Sequence, residues 1–235
     1  MAAPLEEILR QHPVWRGAAP AAFSPALPTT YPALDHALPG GGWPTGVITE
    51  ILCNQEGIGE LTLALPALAA LTWAGKRVVW LAPPHLPYAP ALAAAGVDLA
   101  QLAIVRAVAR RDALWAAEQV LRARSCHALL GWFPRIAYEE LRRLAVAAEG
   151  SPAWVAFFRP QQAAAESSPA ALRLALEPAD DALAVRVVKR RGLPAAAPIR
   201  LRIKRPFHAL GRTALPQPAD AGARADRRVG LPVHA

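Results

Sequence analysis

From Val47 to Phe158, short apolar runs of strand length alternate with helix-like stretches, and no other feature of the chain restricts its fold as much. The runs are Val47–Leu52, Arg77–Ala82, Leu102–Val105, Ala128–Phe133 and Trp154–Phe158, and they carry almost no charge, as strands covered on both faces require. Between them lie the helix-like stretches Glu60–Ala74, Pro90–Ala95, Asp112–Arg124 and Tyr138–Glu149. Strand and helix in rotation predict an α/β fold: a mostly parallel sheet, helices on both faces, and right-handed crossovers.

After Pro169 the rhythm changes. Ala171–Leu176, Leu183–Lys189 and Ile199–Lys204 follow one another with no helix between them. Leu172, Leu174 and Leu176, like Ile199, Leu201 and Ile203, alternate with polar positions that include Arg173, Arg200, Arg202 and Lys204. Period-two alternation of this kind predicts an antiparallel C-terminal extension of the sheet with a basic polar face. The length of 235 residues suits one domain. We place the core at residues 31–206. Residues 1–30 read as a docking helix (Pro4–Gln11) and a Pro/Ala-rich linker, and residues 207–235 read as a basic tail of disorder-prone composition.

Charge is distributed unevenly. From Arg186 onward there are 12 Lys/Arg against 2 Asp/Glu, leaving 14 basic against 16 acidic residues in the rest. A near-neutral body with a basic C-terminal fifth points to nucleic acid or an acidic partner surface, because basic side chains displace counterions from phosphates. Lys189, Arg190, Arg191, Arg200, Arg202, Lys204 and Arg205 are the candidate contact residues. The two cysteines, Cys53 and Cys126, sit in apolar runs and suit buried thiols in a reducing, cytoplasmic setting. No stretch reads as membrane-spanning, and the six histidines show no metal-ligand spacing, so no metal is expected. Most of the tryptophans (Trp43, Trp73, Trp80, Trp115, Trp132, Trp154) fall inside element patterns and are expected to pack in the core.

The first strand runs into Cys53-Asn54-Gln55-Glu56-Gly57-Ile58-Gly59-Glu60-Leu61-Thr62, the place where a phosphate-binding loop would open the first helix. The topology suits such a loop and the residues do not. Glu60 stands where a lysine should meet the phosphates, and Leu61 where a Ser or Thr should hold magnesium. A unit charge pair about 4 Å apart at an effective dielectric near 20 interacts by roughly 4 kcal/mol, and here its sign is reversed. The carboxylates that phosphoryl transfer also needs are missing at Leu129-Leu130-Gly131-Trp132-Phe133 and Leu81-Ala82-Pro83-Pro84-His85. With Gly57, Gly59, Glu60, Leu61 and Thr62 forming a degenerate loop, we expect no bound nucleotide, no cofactor and no catalytic residues.

Leu38-Pro39-Gly40-Gly41-Gly42-Trp43-Pro44-Thr45-Gly46, Gly57-Ile58-Gly59-Glu60-Leu61, Ala82-Pro83-Pro84-His85-Leu86-Pro87-Tyr88, Arg159-Pro160 and Lys189-Arg190-Arg191-Gly192 together resemble RecA-type recombinases. Within them they resemble the ImuA family of translesion-synthesis accessory proteins, a group also described as SulA-like. The resemblance spans roughly Leu34 to Lys204 and implies a RecA-like sheet. It further implies a non-catalytic role in a damage-induced mutagenesis complex (DNA repair, SOS response). The partners would be an ImuB-like Y-family polymerase relative and an error-prone C-family DNA polymerase, with RecA and single-stranded DNA as further contacts and nucleoid association when DNA is damaged. The alternatives are a SulA-like inhibitor of cell division acting on a tubulin-like filament protein, and a residual ATPase with RecA-like DNA binding.

Overall fold

The computed structural model describes residues 26–180, 182–190 and 197–203. The docking helix at Pro4–Gln11, the tail at 207–235, and Arg191, Lys204 and Arg205 lie outside the described residues.

Eight strands form one sheet. In chain order the elements are α1 (Pro32–Ala37), β1 (Ile48–Cys53), α2 (Glu60–Trp73), β2 (Val78–Leu81), α3 (Ala89–Ala94), β3 (Leu102–Val105), α4 (Arg110–Ala123), β4 (Ala128–Trp132), α5 (Tyr138–Ala148), β5 (Trp154–Pro160), β6 (Leu172–Ala179), β7 (Ala182–Arg190) and β8 (Ile199–Leu201). The strand order is β3-β2-β4-β5-β1-β6-β7-β8. The expected α/β architecture is present: the sheet is mostly parallel, with antiparallel strands at its C-terminal side.

One part of the expectation needs correcting. β6 is not antiparallel; it pairs with β1 in parallel, with Glu50 opposite Arg173, and the antiparallel pairing begins only between β6 and β7. Residues 161–171, which begin with the 3-10 turn Gln161–Ala165, cross over β1 and bring the chain back to start β6 beside β1 and parallel to it. A turn of that length carries no periodic signal that would reveal the strand's direction.

The strands are buried on both sides because their apolar side chains alternate between two cores. Val78, Trp80, Leu130, Trp154 and Ala156 face a core shared with α2 and α3, while Val79, Leu81, Leu129, Val155 and Phe157 face one shared with α4 and α5. That accounts for near-continuous apolar runs where a half-exposed sheet would alternate with polar residues. The glycine-rich approach is part of the core too. Trp43 is fully buried, its ring stacked on that of Trp154 with centroids 4.7 Å apart, and its backbone exchanges hydrogen bonds with Leu27. Leu27 packs against the core from the side, and Thr29 is fully buried. Trp80 and Trp154 are buried as expected, but Trp73 and Trp115 are 77% and 63% exposed. Both sit on helices whose opposite faces meet the sheet.

Gly131 in β4 shows how tightly the sheet end is packed. A Cβ there would stand 2.7 Å from Phe133 Cε2 and 3.1 Å from Phe157 Cδ1. Gly131→Ala is expected to destabilise the fold by about 1–3 kcal/mol through overpacking, read as a lowered midpoint in urea.

Candidate functional site

In open parallel sheets, ligands bind in the crevice beyond the carboxyl ends of the strands. Here that edge is formed by the ends of β1, β2, β4 and β5 and by the loop from Cys53 to Gly59 that opens α2. Glycine is required at both turning points of the loop, since Gly57 has φ +78° and Gly59 has φ +115°. A side chain at Gly59 would also collide with Ile203, which follows β8 and covers the loop.

What the loop holds is its own side chain. Gly57 N–H donates to Glu60 Oε1 at 2.9 Å and Gly59 N–H donates to Glu60 Oε2 at 3.1 Å. Main-chain amides that would otherwise converge on a phosphate converge on a carboxylate fixed to the first residue of the helix. Glu60 is 9% exposed. Leu61 packs partly into the core, and the main-chain carbonyl of Thr62 accepts a 3.4 Å hydrogen bond from the Tyr31 hydroxyl.

The negative field of Glu60 reaches its neighbour. Burial, and then the charge of Glu60, push the Cys53 thiol up to about 12 from an ordinary 9.0. The folded chain therefore favours the neutral thiol. This contribution to stability is complete below pH 9 and is lost as the pH rises toward 12. Cys53 is expected to resist iodoacetamide at pH 8, and Glu60→Gln is expected to speed its alkylation, because one of the two influences holding it protonated is gone.

Two cavities flank Glu60. One, of about 300 Å³, is lined by Cys53, Trp132, Phe158 and Arg159; the other, of about 320 Å³, by Trp80, Pro83, His85 and Leu92. Glu56, Glu60, Pro84 and Trp132 line both, so the two adjoin as parts of one cleft that Glu60 borders. Its rear wall is aromatic: Trp132 stacks on Phe158 at 4.8 Å and tilts against Trp80 at 5.6 Å. His85 Nε2 lies 2.7 Å from Glu56 Oε2 at the rim.

Beneath the cleft is a buried charge cluster that sequence reasoning missed. Glu50, fully buried in the middle of β1, accepts from Arg159 Nη1 at 2.6 Å and from Arg173 Nε at 2.5 Å. Arg159 also reaches Glu166 at 2.7 Å, and Arg173 donates to the carbonyls of Ala163 and Glu166. Burial acts to lower Arg159, but Glu50 and Glu166 outweigh it and hold the guanidinium above its ordinary value. Arg173, expected on the polar basic face of the extension, is 4% exposed and binds β1 to β6 and to the turn after β5. The usable signal was Glu50 itself, a lone carboxylate inside an apolar strand, which demands a buried partner.

The candidate basic surface is spread out. Lys189 and Arg190 lie at the end of β7, where Lys189 Nζ donates to the Ser168 carbonyl at 2.7 Å and Arg190 Nη1 donates to that of Ala37. Arg200, in β8, pairs across the sheet with Ala184 at the opposite end of β7, and Arg202 is exposed just beyond. At about 3.3 Å per residue the two groups stand roughly 20 Å apart. A denser basic cluster, unforeseen from the sequence, lies between the C-terminal end of α4 and the length of α5, with Glu139 and Glu149 at its margins. There Arg122, Arg124, Arg142 and Arg143 line an open groove of about 520 Å³. Arg122 and Arg143 are both paired with Glu118. No helix among the described residues is long and apolar enough to cross a membrane.

Residues 46–154 match the family model of the cell division inhibitor SulA. That segment is SulA-like. Over 121 residues the chain is 26% identical to the cell division inhibitor SulA of Serratia proteamaculans (strain 568) and equally to that of Serratia marcescens; each alignment covers 52% of this chain and 72% of the relative. Among solved structures it is similar to SulA from Pseudomonas aeruginosa, with 23% identity and a TM-score of 0.41 over 48% of this chain and 97% of that one. The SulA-like segment runs from the entry of β1 to the first residue of β5. It includes the loop, Glu60 and most of the cleft, whereas Arg159, Arg173 and strands β6–β8 lie beyond it.

Proposed function

We propose that this chain is a non-catalytic, SulA-like inhibitor of cell division, cytoplasmic and deployed when DNA is damaged, acting by contact with a component of the division machinery. The observation that carries the non-catalytic reading is the Glu60 carboxylate seated on the Gly57 and Gly59 amides, since an internal anion fills the place a triphosphate would take. The match of residues 46–154 to cell division inhibitor SulA supports the choice of process. Overexpression in a bacterial host is expected to give long undivided filaments, and normal septation would overturn the reading. ATP with magnesium is expected to leave the melting temperature unchanged, whereas ligand at about 100 times its dissociation constant would stabilise by roughly 2.7 kcal/mol.

A second reading has an observation of its own. Strands β6–β8 and both arginines that hold Glu50 lie outside the SulA-like segment, and they complete a mostly parallel sheet with an antiparallel end, as a RecA-like, ImuA-type translesion adaptor would have. On this reading the partners are an ImuB-like Y-family polymerase relative and an error-prone C-family polymerase, with RecA or single-stranded DNA meeting Lys189, Arg190, Arg200 and Arg202. Co-purification of a Y-family polymerase relative from damaged cells, without filamentation, would decide for it.

A further inference from the structure

We infer that the cleft lined by Glu60 and Trp132 is a receptor for an arginine side chain of a partner protein, with the guanidinium on the Glu60 carboxylate and against the Trp132 ring. The inference rests on the reading that this edge of the sheet binds protein and not nucleotide, and it names the chemistry of the contact.

Charge complementarity sets the occupant. Glu60 lines both cavities, and no lysine or arginine pairs with it among the described residues. Arg159, which lines the cleft, is committed to Glu50 and Glu166, and His85 Nε2 lies against Glu56 Oε2. Each Glu60 oxygen takes one backbone N–H, and a carboxylate offers about four lone-pair sites, so both oxygens can still accept from a guanidinium fork. The two amides and the helix N-terminus stabilise this nearly buried carboxylate only by partial charges, and a cation entering the cleft would add a full opposite charge.

The walls select arginine over lysine. Trp132, with Phe158 behind it, and prolines 83 and 84 give flat, apolar surfaces on which a planar, weakly hydrated guanidinium and its stem can lie; a compact ammonium would lose more hydration. Trp80 lines the same cavity beside Trp132. Together these features ask for an apolar stem and a cation, as an arginine side chain provides.

The test uses the full chain labelled with 15N and two probes, N-acetyl-arginine amide and the uncharged N-acetyl-citrulline amide, with the indole N–H signals of Trp80 and Trp132 as readout. The arginine probe is expected to shift both signals, and the citrulline probe to bind at least tenfold more weakly. Glu60→Gln is expected to abolish the difference between the probes, and Trp132→Leu to weaken the arginine probe severalfold. Equal binding of the two probes to the unaltered chain would overturn the inference even if Glu60→Gln failed to fold. So would an unchanged preference in a folded Glu60→Gln variant. Displacement of the arginine probe by ATP with magnesium would overturn both this inference and the non-catalytic reading. Arginine binding in a chain that causes no filamentation would retain the receptor and remove only the cell-division function.

Discussion

Replacing Glu50 with glutamine is expected to lower the unfolding free energy by about 3–5 kcal/mol, the range for breaking a buried ion pair from one side. The two guanidiniums that Glu50 holds are 5% and 4% exposed. Without the carboxylate, Arg159 retains Glu166, and Arg173 retains only main-chain carbonyls, so at least one positive charge stays in the interior without a counter-ion. Glutamine is nearly isosteric, so the loss measures charge and not a cavity. Denaturation in urea, with the slope compared between the two proteins, is the measurement. A loss below about 1 kcal/mol would mean that water or backbone relaxation screens the cluster. The triple variant Glu50→Leu, Arg159→Met, Arg173→Met should recover much of the stability, because apolar side chains of similar volume often replace a buried ionic cluster at little cost.

The second large effect is expected at Trp154. Its ring is fully buried and lies almost parallel to that of Trp43, at 18°. Trp154→Ala should cost about 3–5 kcal/mol from lost transfer energy and an unfilled cavity, with the stacking interaction lost as well. The consequence should spread beyond β5. Trp43 anchors the glycine-rich approach and, through Leu27, the segment before α1, and that segment is expected to become protease-sensitive in the variant. Limited proteolysis with mass analysis would locate the first cleavage. Cleavage confined to other regions would separate the stack from the anchoring of this segment.

Both effects arise from residues whose type was plain in the sequence and whose partners were not. The rotation of apolar strands with helix-like stretches was legible because burial on two faces forces continuous hydrophobicity along a strand, while in α4 and α5 burial on one helix face forces a period of 3.6. The exposure of Trp73 and Trp115 was not legible, since a tryptophan within a helix pattern can lie on either side of the stripe. Arg173 was misplaced for a related reason. Alternation identifies two faces of a strand, but which face is solvent depends on the elements that cover it, and the turn at Gln161–Ala165 covers this one.

The sequence by itself determined the fold class, the placement of the loop at the β1–α2 junction and the presence there of a carboxylate where a cation would be needed, because each depends on local spacing and residue type. Only the tertiary structure decided that Glu60 turns back onto its own loop, that β6 returns in parallel beside β1, and that Glu50 gathers Arg159 and Arg173 from 109 and 123 residues away. The strand and ion pairings are long-range, and their energy depends on burial and on which strands become neighbours, neither of which is written in any short stretch of chain; the Glu60 contacts are local, but they depend on the left-handed turns the loop takes at Gly57 and Gly59.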